Sequence, residues 1–246
     1  MLADLIQDTV RPLAAATPPP RGLPYLGLDH ASGTSLATLG CFATRGIFRK
    51  YELVLDLGTP LGAVSRWLVS RLGGDAVAAV PTAAGALAAS ELTRRSSVRA
   101  RVQCLAGSPT QLPLPSARFT HVWLVETLAT FDDPAAVLRE AFRVVRPGGW
   151  LGVQEIVPAS VPGASPSGPV TALIESAGFF AVEADDVTHV AIERSPQLLA
   201  ARARFEQRLR AADKPLTRLA DTSGTIRESL EAGDTRVVQF VARRAG

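Results

Sequence analysis

Short apolar segments alternate with helical segments along most of the chain. Residues 51–58, YELVLDLG, have the length and apolar content of a buried strand, and they run into a glycine-containing turn and then the helical pattern AVSRWLVSRLGG. Four more strands are predicted behind it, with the sequences DAVAAVP, VRARVQCLAG, HVWLVETL and WLGVQEIV. Strands that alternate with helices are joined by right-handed crossovers and pair in parallel. The sequence therefore predicts an α/β fold with a mostly parallel sheet.

A proline-rich linker separates the first residues from this pattern. The stretch LADLIQDTVRPLA is amphipathic, and the TPPPRGLP segment behind it favours extended backbone. We predict an N-terminal arm or cap over residues 1–40 and an α/β domain over residues 41–246. FAVEADDVTHVAI and TRVVQFVARR are predicted as the last two strands. We predict a helical insertion between them, at about residues 193–231, and expect it to cover the carboxyl edge of the sheet as a lid.

Composition narrows the classes of function. The chain of 246 residues is 47% apolar, enough for one well-packed domain, and it has no apolar run long enough to span a bilayer and no signal-peptide pattern. We expect a cytoplasmic protein with no membrane partner. The net charge of +3 comes from arginines dispersed among acids, which does not predict nucleic-acid binding. The two cysteines lack metal-ligand spacing, and we expect no metal site.

Four segments in order resemble the class I S-adenosylmethionine (SAM) methyltransferase superfamily, in its small-molecule, natural-product type. They are LVLDLGTPLG (53–62), LAGSPTQLPLPSARFTHVWLVETLATFDDP (105–134), VLREAFRVVRPGGWLGVQEI (137–156) and AGFFAVEADDVT (177–188). The resemblance implies a Rossmann-like fold, in which helices flank a mostly parallel seven-stranded sheet and a helical lid covers it.

The resemblance also implies a place for the cofactor, over the glycine turn and the ends of the second and third strands. Asp56, Gly58 and Gly62 match the turn, and these residues with Ser108 after the third strand would contact SAM if it binds.

Three positions depart from the superfamily's pattern. Pro60 replaces the middle glycine of the turn, Pro81 follows Val80 where an acid would hold the ribose, and Ser108 replaces the acid that would hold the adenine. Together these losses could cost several kcal/mol, roughly a thousandfold in affinity. We therefore expect a degenerate SAM site and no cofactor, with SAM as the alternative.

The scaffold segments are intact while the cofactor positions differ, and this contrast favours a function without methyl transfer. The chain is similar in layout to methyltransferase-like cyclases and pericyclases of polyketide pathways. We predict a SAM-independent enzyme of bacterial antibiotic-type biosynthesis that cyclises or rearranges a largely apolar, polyketide-like intermediate. One alternative is a SAM-dependent small-molecule O-, N- or C-methyltransferase. Another is a non-catalytic auxiliary subunit bound to a partner methyltransferase; a homodimer is also considered.

The candidate catalytic residues lie at the carboxyl edge of the predicted sheet and on its rim. Glu126 and Glu155 follow or end strands, where a desolvated carboxylate could act as a base, although Glu126 could equally cap the next turn. We favour a functional role for Glu155 and a structural one for Gln154. His30 and His189 fall on rim segments and could exchange protons near neutral pH.

Two further residues are candidates for substrate binding. Tyr25, in the N-terminal arm, could close over a ligand, or could equally be packed at the surface. Thr130 stands where many relatives in the superfamily carry a histidine. If that histidine is their base, its absence here weakens the case for methyl transfer.

Overall fold

The computed structural model describes residues 2–16, 18–45, 52–160, 165–212 and 214–246. A seven-stranded sheet runs through this part of the chain in the order β3-β2-β1-β4-β5-β7-β6. Its strands are Leu53–Leu57 (β1), Asp75–Val80 (β2), Val102–Ala106 (β3), Phe119–Val125 (β4), Val145–Pro158 (β5), Phe180–Asp186 (β6) and Thr235–Arg243 (β7). Pairs among the first five strands are parallel, and β7 pairs antiparallel with both β5 and β6. This confirms the predicted fold class.

The helices of the described residues lie on both faces of the sheet and over one of its edges. They are Leu2–Ala16 (α1), Leu39–Thr44 (α2), Ala63–Leu72 (α3), Ala83–Arg94 (α4), Pro134–Val144 (α5), Gly168–Ser176 (α6), Thr188–Ala191 (α7), Pro196–Arg210 (α8) and Lys214–Ala232 (α9). None of these helices is long and apolar enough to cross a membrane. Helices α8 and α9 form the predicted insertion between β6 and β7.

Alternation along the central strands builds two apolar layers. On one face Leu124 and Val153 join a core that also includes residues of α5 and α6. On the other, Trp123 packs against Phe42 of α2, with ring centroids 4.9 Å apart. Gly152 is required there, because a Cβ at that position would lie 2.9 Å from the Trp123 ring. Both faces of β4 are therefore buried, which explains the continuous apolar run of residues 122–125.

Local signals set the start of α5. Asp133 accepts a hydrogen bond from the Ala136 N–H at 2.8 Å, and Pro134 occupies the first turn of the helix. Strand β5 begins at Val145, five residues before the predicted start. Val145 pairs with Phe119 of β4, and a register irregularity follows between Phe119 and His121.

The N-terminal arm packs onto the lid. Ile6 and Val10 of α1 lie in one apolar cluster with Phe205 and Leu209 of α8. The predicted domain division at residues 40 and 41 stays a prediction.

Candidate functional site

The glycine turn after β1 is held from inside by Asp56. This buried carboxylate accepts hydrogen bonds from the Ser65 N–H at 3.0 Å, the Ser65 hydroxyl at 2.9 Å and the Thr59 hydroxyl. Gly58 has a φ of +96°, and a Cβ there would lie 2.7 Å from the Phe131 ring. Asp56 is predicted to contact a cofactor, but its oxygens are engaged in shaping the turn. Burial raises the pKa of this carboxyl despite these hydrogen bonds.

A cofactor's adenosine half finds few partners beside this turn. Strand β2 ends in Val80, Pro81 is exposed, and the next side chain, Thr82, accepts from the Gly85 N–H as the cap of α4. A Cβ on Gly85 would lie 3.1 Å from the Pro60 carbonyl oxygen, so the turn and the first turn of α4 are in contact.

Behind β3 the situation is similar. Ser108 is exposed, and its hydroxyl lies 3.0 Å from that of Thr110. Neither strand end supplies a carboxylate, and Pro60 has no N–H to offer. The residues present do not fit the ribose and adenine contacts that the resemblance implies.

A buried ion pair fills the space on the α3 and α4 side of the turn. Arg66 is fully buried, and its Nη2 lies 2.7 Å from Asp29 Oδ2. The same guanidinium donates to the carbonyls of Leu61 and Ala89 and to the Thr93 hydroxyl. All its N–H groups donate hydrogen bonds, so side chains and backbone fill this side of the turn, which we call the solid side.

A cavity of about 320 Å³ opens on the other side of the turn. It lies between the ends of β1, β4 and β5, the arm and helix α9. No residue from the ends of β2 or β3 lines it. The lining residues are His30, Ala31, Ser32, Gly58, Pro60, Val125, Glu126, Thr127, Thr130, Ile156, Thr222 and Ile226.

Glu126 is the acidic centre of this cavity. It follows β4 with a φ of +57°, a conformation that is uncommon for a residue with a side chain and is typical of functional sites. Its Oε1 accepts from the Thr34 hydroxyl and from Gln154 Nε2 at 2.7 Å, and its Oε2 accepts from the Ser32 hydroxyl. The carboxylate is therefore buried but well supplied with donors.

His30 lies against the same carboxylate. Its Nε2 is 3.6 Å from Glu126 Oε2 and 3.4 Å from the Thr34 hydroxyl. Nε2 faces a carboxylate, so the neutral form of the ring carries its proton there and leaves a lone pair on Nδ1. Nδ1 is buried and has no hydrogen-bond partner among the described residues. The structure thus brings together two of the four predicted catalytic residues.

The charge state of Glu126 follows from these neighbours. Burial alone would raise its pKa, but the charge and hydrogen bond of His30 and the hydroxyls of Ser32 and Thr34 outweigh burial and lower the pKa to about 2. Glu126 is therefore ionised at physiological pH. A carboxylate this acidic orients and stabilises its neighbours better than it abstracts protons.

Gln154 is predicted to be structural, but the structure shows that it belongs to the hydrogen-bond network of Glu126. Its amide nitrogen donates to Glu126, and its Oε1 accepts from Gln239 Nε2 at 2.8 Å. Ser32 and Thr34 were also missed. The signal that could have found them is the concentration of hydroxyls directly behind His30 in the GLDHASGTS stretch.

Glu155 lies on the opposite face of β5, away from the cavity. It accepts from the Leu128 N–H at 2.6 Å and so caps the turn after β4, the role that the sequence offered as an alternative for Glu126. Burial, with a smaller contribution from the charge of Glu126, raises its pKa to about 7 even though backbone N–H groups oppose the shift. The predicted role of Glu155 at the site is corrected accordingly, because successive residues of a strand point to opposite faces.

Of the three remaining candidates, one lines the cavity and two do not. Thr130 lines the cavity and donates to the Thr127 carbonyl at 2.6 Å. Tyr25 is buried in the arm, where its hydroxyl donates to the Leu92 carbonyl at 2.5 Å and its ring lies under Arg66, so it does not line the cavity. His189 is exposed on α7 and is also absent from the lining.

Part of the chain matches a known family and known sequences. The family described as "Methyltransferase domain" matches residues 55–153. Methyltransferase GfsG of Streptomyces halstedii is 28% identical over 52% of this chain and 48% of its own length. Erythromycin 3''-O-methyltransferase of Saccharopolyspora erythraea is 32% identical over 47% of this chain and 38% of its own length. The match to the methyltransferase domain family is therefore shown for residues 55–153. The matches span less than half the length of these two relatives.

Solved structures share the fold. The [4+2]-cyclase SpnF superposes with a TM-score of 0.71 at 20% identity, over 97% of this chain and 94% of SpnF. A geranyl diphosphate methyltransferase in complex with SAM superposes with a TM-score of 0.57 at 17% identity, over 85% of each chain. Members of this fold therefore bind SAM, and these comparisons do not support the expectation that no cofactor is bound here.

Proposed function

We propose that this protein is an enzyme that binds a largely apolar small molecule under the lid and catalyses its cyclisation or rearrangement without SAM. The observation that carries the proposal is the position of the cavity. It is built from the arm, the lid and the ends of β1, β4 and β5, whereas the ends of β2 and β3 contribute nothing to it and bear no carboxylate. The cavity could therefore hold a substrate, whereas the carboxylates that would bind the adenosine half of SAM are missing from the ends of β2 and β3.

The lining suits such chemistry. Val125, Ile156 and Ile226 provide apolar wall, which would fold a flexible substrate into a reactive conformer by excluding extended ones. The ionised Glu126 beside His30 can stabilise positive charge that develops near it. The cyclase SpnF has the same fold, so this architecture is compatible with cyclisation.

Methyl transfer to a small natural product is the second candidate. It is favoured by the family match over residues 55–153 and by the two relatives, which are both named as methyltransferases. It requires SAM to bind beside Pro60 with its methyl group directed into the same cavity.

Calorimetric titration with SAM and S-adenosylhomocysteine separates the two candidates. We expect no binding up to millimolar ligand for the native protein. Pro60→Gly should stay without micromolar affinity, because the carboxylates at β2 and β3 are still missing; Pro115→Gly, in a loop outside the cavity, is the matched control. Micromolar binding of SAM by the native protein would overturn the proposal in favour of methyl transfer.

A turnover assay tests the reaction itself. Linear polyene probes that carry a diene and a second alkene are incubated with the protein, and the molecular masses of the products are measured by mass spectrometry. Cyclisation leaves the mass unchanged and requires no SAM. A product heavier by one CH₂ group, formed only when SAM is added, identifies a methyltransferase.

A further inference from the structure

The segment behind His30 is bound from two sides. On one side the hydroxyls of Ser32 and Thr34 donate to the Glu126 carboxylate. On the other side the backbone carbonyls of the same two residues accept hydrogen bonds from Arg202 of α8. Each residue thus links the carboxylate of the cavity to a cation on the lid.

Arg202 also joins the two lid helices. Its Nη1 donates to the Ser223 hydroxyl of α9 at 3.1 Å, besides the Ser32 carbonyl, and its Nη2 donates to the Thr34 carbonyl at 3.2 Å. The planar guanidinium can serve these three acceptors at once because its donors are fixed in a fork.

Gly33 shows how closely α9 approaches the same segment. A Cβ on Gly33 would lie 2.5 Å from the Ser223 carbonyl oxygen and 2.7 Å from Ile226 Cγ2. Ile226 lines the cavity, so the helix that touches Gly33 also forms the cavity wall. Only glycine permits this approach without a shift of the backbone.

We propose that Arg202 is a positioning residue that couples closure of the lid to assembly of the Glu126 and His30 pair. By holding the carbonyls of Ser32 and Thr34, it keeps their hydroxyls on Glu126, and the carboxylate so fixed orients the His30 ring. The inference rests on the proposed site but not on the reaction, and its test requires neither substrate nor SAM.

The state of the His30 ring provides the measurement. The chain has three histidines, so the ring signals are assigned with His121→Asn and His189→Asn, and long-range proton–nitrogen correlation spectra show which nitrogen carries the proton. At alkaline pH, where imidazole is neutral, we expect the wild-type His30 ring to be protonated on Nε2 alone. Glu126→Gln should abolish this single state, and a spectrum unchanged by Glu126→Gln would overturn the proposal.

Arg202→Met is the decisive variant. We expect a folded protein whose His30 ring loses its single Nε2–H state and populates both tautomers. Arg204→Met, an exposed arginine on the same helix, is the matched control and should retain the wild-type signal. If Arg202 serves only the packing of the lid, Arg202→Met lowers the melting temperature and leaves the His30 tautomer unchanged, which would overturn the proposal.

Two further variants keep the proposal testable if Arg202→Met does not fold. Arg202→Lys retains the cation and the apolar stem but lacks the fork that reaches all three acceptors. Gly33→Ala leaves Arg202 in place and drives α9 from the segment. We expect both to shift His30 toward mixed tautomers. A wild-type tautomer in both folded variants would contradict a coupling between the lid and the site.

Discussion

Asp29 and His30 are neighbours in sequence, yet they serve opposite sides of the glycine turn. Asp29 faces Arg66 in a buried ion pair whose guanidinium donors are all used. His30 faces Glu126 in the cavity and retains an unpartnered Nδ1 among the described residues. A buried polar atom left without a partner costs about 1–3 kcal/mol. The polar groups on the first side are thus paired within the protein, whereas the second side keeps a buried acceptor without a partner among the described residues.

Removal of Arg66 gives the largest expected effect on this comparison. Arg66→Met leaves Asp29 buried without its partner, and such losses cost about 3–5 kcal/mol. We expect a decrease of this size in the free energy of unfolding, measured by urea denaturation.

Arg94→Met is the control for this prediction. Arg94 forms an exposed pair with Glu91 on α4, and pairs of this kind contribute little to stability because solvent screens them. If Arg66→Met and Arg94→Met lost equal free energies of unfolding, the buried pair on the α3 and α4 side of the turn would contribute no more to stability than an exposed pair.

The pH dependence of stability distinguishes the two glutamates. Glu155 has a pKa raised from 4.5 to about 7 by burial, so between these values the native protein binds a proton that the unfolded chain has released. Its contribution is fully present below pH 4.5 and is lost as the pH rises through 7, which amounts to about 3 kcal/mol. Glu155→Gln should remove this decline, as measured by urea denaturation across the range.

Glu126→Gln is the matched control in the same pH window. The pKa of Glu126 is lowered to about 2, so its contribution is lost only as the pH falls from 4.5 towards 2. The variant should therefore keep most of the decline between pH 4.5 and 7. A decline that persists in Glu155→Gln would assign it to another group.

The sequence predicts the scaffold better than the site, and strand β5 shows why. Its apolar pattern is sufficient to predict a strand, but not which face of the sheet each side chain occupies. A shift of one residue would exchange the faces of Gln154 and Glu155, and with them their roles. Pairing with β4 and β7 fixes that face, and pairing is a long-range property. Glu126 adds a second difficulty, since its positive φ redirects a side chain that extended backbone would place elsewhere.

The arm illustrates the same limit. Its sequence predicts an amphipathic stretch and a histidine on a rim segment, but not that Ser32 and Thr34 reach Glu126, more than ninety positions away. Such contacts depend on how the arm and the lid pack together, and no local periodicity encodes them. The Asp133 cap, by contrast, involves residues three apart, so its signal is contained in the local sequence.

Tyr25→Phe tests the solid side of the turn with a smaller change. The variant removes the hydrogen bond to the Leu92 carbonyl and keeps the ring under Arg66. We expect a loss of about 0.5–1.5 kcal/mol in the free energy of unfolding. The His30 tautomer should stay unchanged, because Tyr25 does not line the cavity. A changed tautomer would show that the two sides of the turn are coupled.

His189→Gln should have the smallest effect and gives the comparison its sharpest boundary. His189 was predicted as a proton-transfer residue, but it lies exposed on α7, outside the cavity lining. An exposed substitution of this kind changes stability by no more than about 0.5 kcal/mol. In the polyene assay its turnover should equal that of the wild type, whereas His30→Gln should lose most of it. If His189→Gln lost activity while staying folded, the site would have to extend from the cavity to α7. The active site would then not be confined to the cavity side of the glycine turn.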